Sequence, residues 1–189
     1  MTNIAIFASG SGSNAENIAN YFSGSKNVSV KLILSNKADA LVHERAKKLG
    51  IASLTCAKRE FDEGGGRVLE ILRGAGIDFI VLAGFLLKVP AALIEAYPQK
   101  ILNIHPALLP KYGGKGMYGD NVHKAVVAAG EKESGVTIHY VNEHYDEGQV
   151  IFQAKCEVLP TDTYQDVADK VHKLEYEYFP PIIESIING

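Results

Sequence analysis

The chain has 189 residues, with 19 basic and 22 acidic side chains and a formal net charge of −3. This length suits one domain with a substantial core, and the slightly acidic balance gives no electrostatic reason to expect a nucleic-acid partner. No apolar stretch is long enough to cross a membrane, and the two cysteines fit neither a metal spacing nor a disulfide framework. We therefore expect a single-domain cytoplasmic protein, a monomer or homodimer, without a membrane or nucleic-acid partner.

Strands and helices alternate through the first half of the chain. Near-continuous apolar runs predict strands buried on both faces of a parallel sheet, and apolar residues spaced three or four apart predict the helices between them. The predicted strands are residues 3–8, 28–35, 51–55, 78–83 and a fifth that begins at Ile101. The predicted helices are residues 14–22, 41–49, 67–73 and 90–97, and residues 61–66 are expected to form a flexible loop.

The second half predicts a change in strand direction. Residues 135–141 and 150–158 alternate like half-buried strands, and the eight residues between them are too few for a crossover helix. These two segments therefore predict an antiparallel hairpin. The expected fold is one α/β domain over residues 1–189, Rossmann-like and three-layered, with a mostly parallel twisted sheet and a C-terminal antiparallel hairpin.

Two further helices are predicted in the second half. One spans residues 121–129, after an irregular loop that Pro110 and several glycines predict. The other is long and amphipathic, and begins near Thr163, with Thr163 or Asp162 as its cap. The consecutive prolines Pro180 and Pro181 must kink or interrupt this last helix.

A glycine-rich turn follows the first predicted strand and opens the first helix. Glycines let a backbone approach a phosphate closely, and the free N–H groups at a helix N-terminus attract it. The spacing Gly10-x-Gly12-x-x-Ala15 matches a loose dinucleotide fingerprint, but the second strand ends in Ser35 and Asn36 instead of the confirming acidic residue. A phosphate monoester is therefore favoured over NAD, and a purely structural tight turn is the alternative.

The segment around Asn103 and His105 predicts a catalytic edge of the sheet. Because successive strand residues face opposite sides, these two side chains share one face. Pro106 ends the strand, so both polar groups lie at its carboxyl end, where α/β sheets bind ligands. The alternative is a turn-capping asparagine and a hydrogen-bonded structural histidine. Residues 142–149 are acidic, and one of several carboxylates there can reach His105.

Motifs along nearly the whole chain resemble those of a single family. The chain resembles the folate-dependent phosphoribosylglycinamide formyltransferase family, and the single domain would then have the formyltransferase fold. The matching segments are residues 9–14, 35–40, 82–85, 102–106, 108–111 and 135–139, together with Asp146 and Gly148.

The resemblance implies the following site residues. The catalytic residues are Asn103, His105 and Asp146. The residues that hold the ribose phosphate of the substrate are Gly12, Ser13 and Asn14, and Glu175 lies near its glycinamide group. The folate-binding residues are Leu86, Leu87, Lys88, Val89 and Asn103. His139 and His172 also align near the site, with less defined roles.

The resemblance also implies a reaction. The formyl group of 10-formyltetrahydrofolate, a co-substrate, is transferred to the amine of 5′-phosphoribosylglycinamide in purine biosynthesis, without a metal. Residues 1–100 would bind the phosphate, and residues 101–189 would carry catalysis and folate binding. Two alternatives remain. A 10-formyltetrahydrofolate hydrolase shares the Asn-x-His and Asp residues, whereas a non-catalytic nucleotide-binding domain needs only the glycine-rich turn.

Overall fold

The computed structural model describes residues 1–189 and contains one mixed sheet with helices on both faces. The strands are β1 (Thr2–Phe7), β2 (Val28–Ser35), β3 (Ala52–Thr55), β4 (Phe79–Leu82), β5 (Ile101–His105), β6 (Glu133–Tyr140) and β7 (Val150–Glu157). The helices are α1 (Ser13–Tyr21), α2 (Val42–Leu49), α3 (Lys58–Asp62), α4 (Gly66–Gly74), α5 (Ala91–Ala96), α6 (Asp120–Ala128) and α7 (Tyr164–Asn188).

The seven strands lie in the order β3-β2-β1-β4-β5-β6-β7. The first five in this order are parallel, whereas β6 runs antiparallel to both β5 and β7. The sheet is therefore mostly parallel with a C-terminal antiparallel hairpin, and the predicted single-domain α/β fold is confirmed.

The apolar runs of the central strands are explained by burial on both faces of the sheet. In β1, Ile4 and Ile6 belong to one core, and Ala5 and Phe7 belong to the other, and all four are fully buried. Residues of α1, α2, α6 and α7 complete the first core, and residues of α3, α4 and α5 complete the second. A strand between two helical layers has no polar face, so its sequence loses the alternation of a half-exposed strand.

The strand order reverses between β1 and β4, because the chain builds β2 and β3 on one side of β1 and β4 and β5 on the other. A reversal of this kind opens a crevice at the carboxyl ends of the strands, where open α/β sheets bind ligands. The glycine-rich turn follows β1 at this edge, and Asn103 and His105 lie at the end of β5.

The segment from Phe61 to Gly66 is only partly a loop, so its prediction as a flexible loop was wrong at both ends. Phe61 lies in α3, and α4 begins at Gly66. The Phe61 ring is buried, with its centroid 6.3 Å from that of Phe7 and 5.2 Å from that of Phe85. Burial of the Phe61 ring anchors a segment that its glycines would otherwise make mobile.

Helix α7 continues through both prolines as one α-helix, so the interruption that the sequence allowed does not occur. Pro180 cannot donate a hydrogen bond to the Tyr176 carbonyl, but Asn17 Nδ2 donates to that carbonyl at 3.0 Å instead. Phe179 and Ile183 flank the prolines and are fully buried. Packing and a substitute donor therefore hold the helix together. No helix in the molecule is both long enough and apolar enough to cross a membrane.

Candidate active site

A cavity of about 620 Å³ opens at the carboxyl edge of the sheet and is called here the large cavity. This volume lies within the range of roughly 300–1,000 Å³ that is usual for small-molecule sites. Its lining comes from residues 10–14, 83–87, 103–106 and 114–119, with Lys58, His123, Tyr145, Asp146, His172 and Glu175.

The glycine-rich turn lines part of the large cavity. Gly12 has a φ of 73°, and a Cβ atom there would lie 2.3 Å from Cγ2 of Val42. The glycine is therefore required by close packing against α2 as well as by its backbone angle. No side chain caps the N-terminus of α1, so its first N–H groups are free for an anion. Arg45 supports the turn by donating to the Ser11 carbonyl and pairing with Glu16.

The turn is joined to α7 by one buried contact. Asn14 Nδ2 donates to Oε2 of Glu175 at 2.9 Å, whereas Oδ1 of Asn14 is buried without a hydrogen-bond partner. Burial raises the pKa of the Glu175 carboxyl, and His172 and Asn14 offset only part of that increase. The structure therefore brings the predicted residues Asn14 and Glu175 together in the same part of the cavity.

Strand β5 holds Asn103 and His105 on one face of the sheet, as their spacing predicts. Asn103 lies opposite His139 in β6, and Asn103 Nδ2 is 3.0 Å from His139 Nε2. His105 Nε2 is 2.7 Å from the Tyr112 carbonyl oxygen. A carbonyl can only accept, so Nε2 of His105 carries a proton and donates it to Tyr112.

Asp146 is the carboxylate of the β6–β7 connection that reaches His105. Its Oδ1 lies 3.5 Å from Nδ1 of His105 and 3.7 Å from Nε2 of His139. Its Oδ2 accepts from the Gly114 N–H at 2.9 Å. Asp146 has a φ of 56°, an unusual angle for a residue with a side chain. The geometry thus selects one carboxylate where the sequence alone left several.

Electrostatics in this group favours a neutral imidazole beside a charged carboxylate. Burial lowers the pKa of the His105 ring, and the opposing effects of Asp146 and Tyr112 do not fully restore it. Burial alone would raise the pKa of the Asp146 carboxyl, but the neighbouring His139 and His105 side chains and the Gly114 N–H outweigh it and lower that pKa. At neutral pH, His105 is thus available to accept a proton.

A second, smaller cavity of about 60 Å³ adjoins the first. Leu87, Lys88 and Val89 line it, whereas Leu86 lines only the large cavity. Asn103 and Asp146 line both cavities. They therefore lie where ligands in the two cavities would meet.

A comparison with known protein families matches nearly the whole chain. Residues 2–183 match the family described as Formyl transferase. The chain belongs to the formyl transferase family.

Relatives within the formyl transferase family are similar over nearly the whole chain. A chloroplastic phosphoribosylglycinamide formyltransferase of Arabidopsis thaliana is 43% identical over 97% of this chain and 64% of the plant protein. A phosphoribosylglycinamide formyltransferase of Haemophilus influenzae is 34% identical over 100% of this chain and 89% of that protein. The chain spans less than two thirds of the length of both plant relatives: 64% of the Arabidopsis thaliana protein and 60% of a chloroplastic phosphoribosylglycinamide formyltransferase of Vigna unguiculata.

Solved structures of the family have the same fold. The crystal structure of phosphoribosylglycinamide formyltransferase from Streptococcus pneumoniae matches with a TM-score of 0.87 and 36% identity, over 98% of this chain and 99% of that one. The crystal structure of glycinamide ribonucleotide transformylase 1 from Symbiobacterium toebii matches with a TM-score of 0.91 and 30% identity, over 100% of this chain and 89% of that one.

This member of the formyl transferase family also has cavity-lining residues that the sequence did not single out. His123 of α6 lines the large cavity and is fully buried, and its Nδ1 has no hydrogen-bond partner. Burial and the nearby His172 lower the pKa of His123 to about 4. The sequence around His123 contains no motif that predicts a site residue, because the position of this side chain depends on how α6 packs. No group of three or more His, Cys, Asp or Glu side chains is arranged to hold a metal ion.

Proposed function

We propose that this protein transfers the formyl group of 10-formyltetrahydrofolate to the amine of 5′-phosphoribosylglycinamide, which yields formylglycinamide ribonucleotide and tetrahydrofolate for purine biosynthesis. The observation that carries the proposal is the meeting of Asn103, His105 and Asp146 in one cavity with an uncapped, glycine-rich helix N-terminus. The relatives described above support it, because each is named for this activity.

The acceptor substrate occupies the large cavity in this proposal. Gly12, Ser13 and Asn14 bind its phosphate through the free N–H groups of α1, where the helix dipole also favours an anion. Glu175 faces its glycinamide portion from α7. Its amine then lies toward His105, which lines the same cavity.

The folate donor approaches from the other side of Asn103. Its binding segment is Leu86, Leu87, Lys88 and Val89. The last three residues line the smaller cavity and Leu86 lines the large one, and Asn103 lines both. The smaller cavity holds about 60 Å³, well below the roughly 300 Å³ at which ligand pockets usually begin. The folate ring therefore needs either part of the adjoining large cavity or a shift of the side chains around the smaller one.

The chemistry needs a hydrogen-bond donor and a proton acceptor. Attack of the amine on the formyl carbon forms a tetrahedral oxyanion, and Asn103 stabilises that oxygen by donating from Nδ2. The attacking nitrogen must lose a proton, and the departing folate nitrogen must gain one. Because Nε2 of His105 already donates to Tyr112, the proton is accepted at Nδ1, where Asp146 Oδ1 lies 3.5 Å away.

Asp146 stabilises the protonated form of His105 during this transfer. A carboxylate beside an imidazole favours the charged ring, and its own low pKa keeps it ionised at neutral pH. No step of this scheme needs a metal. The assignment of phosphate binding to residues 1–100 and of catalysis to residues 101–189 belongs to the same proposal. The cytoplasmic location and the monomeric or dimeric state stay predictions.

Turnover with and without the acceptor tests the proposal. Release of tetrahydrofolate from 10-formyltetrahydrofolate is followed with purified protein in the presence and absence of glycinamide ribonucleotide. We expect release only when the acceptor is present. Equal release without the acceptor identifies a hydrolase instead, and no release in either case, with retained nucleotide binding, identifies a non-catalytic binding domain.

A further inference from the structure

The hydrogen bonds of His139 have a consequence for the reacting end of Asn103. His139 is 2% exposed, and Nδ1 lies 2.9 Å from the carbonyl oxygen of Tyr140. That carbonyl can only accept, so Nδ1 carries the ring proton. In the neutral ring, Nε2 is then a bare acceptor, and it lies 3.0 Å from Nδ2 of Asn103.

The alternative partner of Nε2 is too far away. Asp146 Oδ1 lies 3.7 Å from it, beyond hydrogen-bond distance, and a carboxylate cannot donate to a bare nitrogen. Asn103 Nδ2 is therefore the donor that satisfies the buried ring nitrogen. If the carboxamide turned by 180°, its oxygen would face the lone pair of Nε2, and that arrangement is unfavourable.

This orientation matters because only one end of a carboxamide can stabilise an oxyanion. Nδ2 carries two hydrogens, and the bond to His139 uses one of them. The other has no partner in the protein, and Asn103 lines both cavities. A flipped carboxamide would instead present its oxygen to the developing negative charge and would repel it.

We infer that His139 is a positioning residue that fixes the Asn103 carboxamide with its nitrogen available to the formyl oxygen. The inference rests on the proposed formyl transfer and assigns to His139 a role exerted through Asn103 alone. The fold supports this arrangement, since a Cβ atom at Gly148 would lie 1.6 Å from the Tyr140 carbonyl oxygen that orients the histidine.

A double-mutant cycle tests whether His139 acts through Asn103. His139→Leu removes the acceptor in a side chain of similar size, and we expect kcat to fall roughly ten- to a hundredfold, the scale of misplacing a reacting group. KM for both substrates should stay within about twofold. In an Asn103→Ala background, the same substitution should change kcat by less than about twofold, because nothing remains to be oriented.

Matched variants separate this role from a structural one. His139→Gln keeps an acceptor oxygen and should recover part of the lost kcat, whereas His43→Leu, on α2 and outside both cavities, should leave kcat unchanged. Equal losses from His139→Leu in the wild-type and Asn103→Ala backgrounds would overturn the inference. So would a rise in KM without a fall in kcat.

A spectroscopic measurement on the wild-type protein needs neither activity nor a variant. Long-range proton–nitrogen spectra of the unliganded protein distinguish the protonated from the bare ring nitrogen of His139. We expect the proton on Nδ1. A proton on Nε2 would overturn the inference even if the wild-type protein transfers formyl groups normally, whereas an inactive wild-type protein with the proton on Nδ1 would remove the proposed function and leave the hydrogen bond intact.

Discussion

Nδ1 of His105 lies 3.5 Å from Oδ1 of Asp146, while the opposite nitrogen of the same ring donates to the Tyr112 carbonyl. The ring is therefore held between a fixed backbone acceptor and a carboxylate. Protonation of Nδ1 converts a neutral histidine beside an anion into an ion pair. This pair couples the ionisation of His105 to the charge of Asp146.

Removal of that charge should lower the pKa of His105. Asp146→Asn keeps the side-chain shape, but the attraction that opposes the effect of burial is lost, so the pKa of the ring moves further below its usual value. NMR titration of the His105 ring in both proteins measures the change. Nucleotide and folate binding serve as controls and should be retained. An unchanged pKa would exclude the electrostatic role and leave Asp146 as a residue that holds its loop.

Loss of either polar group on β5 should slow turnover strongly. We expect Asn103→Ala and His105→Ala each to lower kcat by roughly a hundredfold or more, the scale of losing an oxyanion donor or an acid–base group. Steady-state kinetics with both substrates saturating measures the effect. His43→Ala is the matched control, because His43 lies on α2 outside both cavities. Near-normal kcat in one variant would remove that residue from the mechanism.

A new negative charge at the N-terminus of α1 should act selectively on one substrate. Ser13→Asp places a carboxylate where the helix terminus attracts the substrate phosphate, so nucleotide affinity should fall far more than folate affinity. Separate calorimetric titrations with the two ligands measure this. Ser23→Asp, just past the other end of the helix, provides the control. Equal weakening of both ligands would indicate misfolding or a misplaced phosphate site.

Two glycines of the same turn should differ in their tolerance of a methyl group. Gly12→Ala forces a Cβ atom onto Val42 at a φ of 73°, and should reduce the free energy of unfolding by about 1–3 kcal/mol. Gly10→Ala meets no atom within 4 Å, and should change stability little. Denaturant unfolding of the two variants compares them. Equal stability would mean that α2 does not pack against the turn as closely as described.

The buried carboxyl of Glu175 should make stability depend on pH. Its pKa is raised in the folded state, so the folded protein binds this proton more tightly than the unfolded chain does. That contribution is fully present below the usual pKa of a glutamate and is lost as the pH rises through the raised value. Glu175→Gln is neutral at every pH and keeps an acceptor for Asn14.

Thermal melting of the two proteins measures this contribution. The variant should gain stability relative to the wild-type protein over the pH range above the usual pKa of a glutamate, because only the wild-type protein must ionise a buried carboxyl there. Binding of glycinamide ribonucleotide should also weaken in Glu175→Gln if Glu175 faces the glycinamide group. A stability difference that is constant over this pH range would show that Glu175 ionises as readily as an exposed glutamate.

Local patterns were sufficient to predict most of the fold. The apolar run of β1 predicts burial on both faces, and the short, polar connection between β6 and β7 predicts their antiparallel pairing. The same patterns failed at Phe61, whose ring is buried against Phe7. At Pro180 the helix is not interrupted, because buried neighbours and the Asn17 side chain compensate for the missing backbone donor. Propensity describes a segment in isolation, and burial by distant residues can override it.

The candidate site was predictable where it depends on strand alternation. Asn103 and His105 share a face because they are two residues apart in one strand. The contact between His105 and the Tyr112 carbonyl was not predictable, since it depends on the path of an irregular loop in which Tyr112 itself has a φ of 57°. His123 was missed for a related reason, because its burial depends on how α6 lies against the sheet.

The path of the formyl carbon distinguishes transfer to the glycinamide amine from hydrolysis. 10-Formyltetrahydrofolate labelled with carbon-13 at the formyl group is incubated with the protein and glycinamide ribonucleotide, and the products are identified by NMR. We expect the label in the formamide group of formylglycinamide ribonucleotide, with one tetrahydrofolate released for each formyl group transferred. Label recovered as free formate, at the same rate with and without the acceptor, would contradict the proposed transfer.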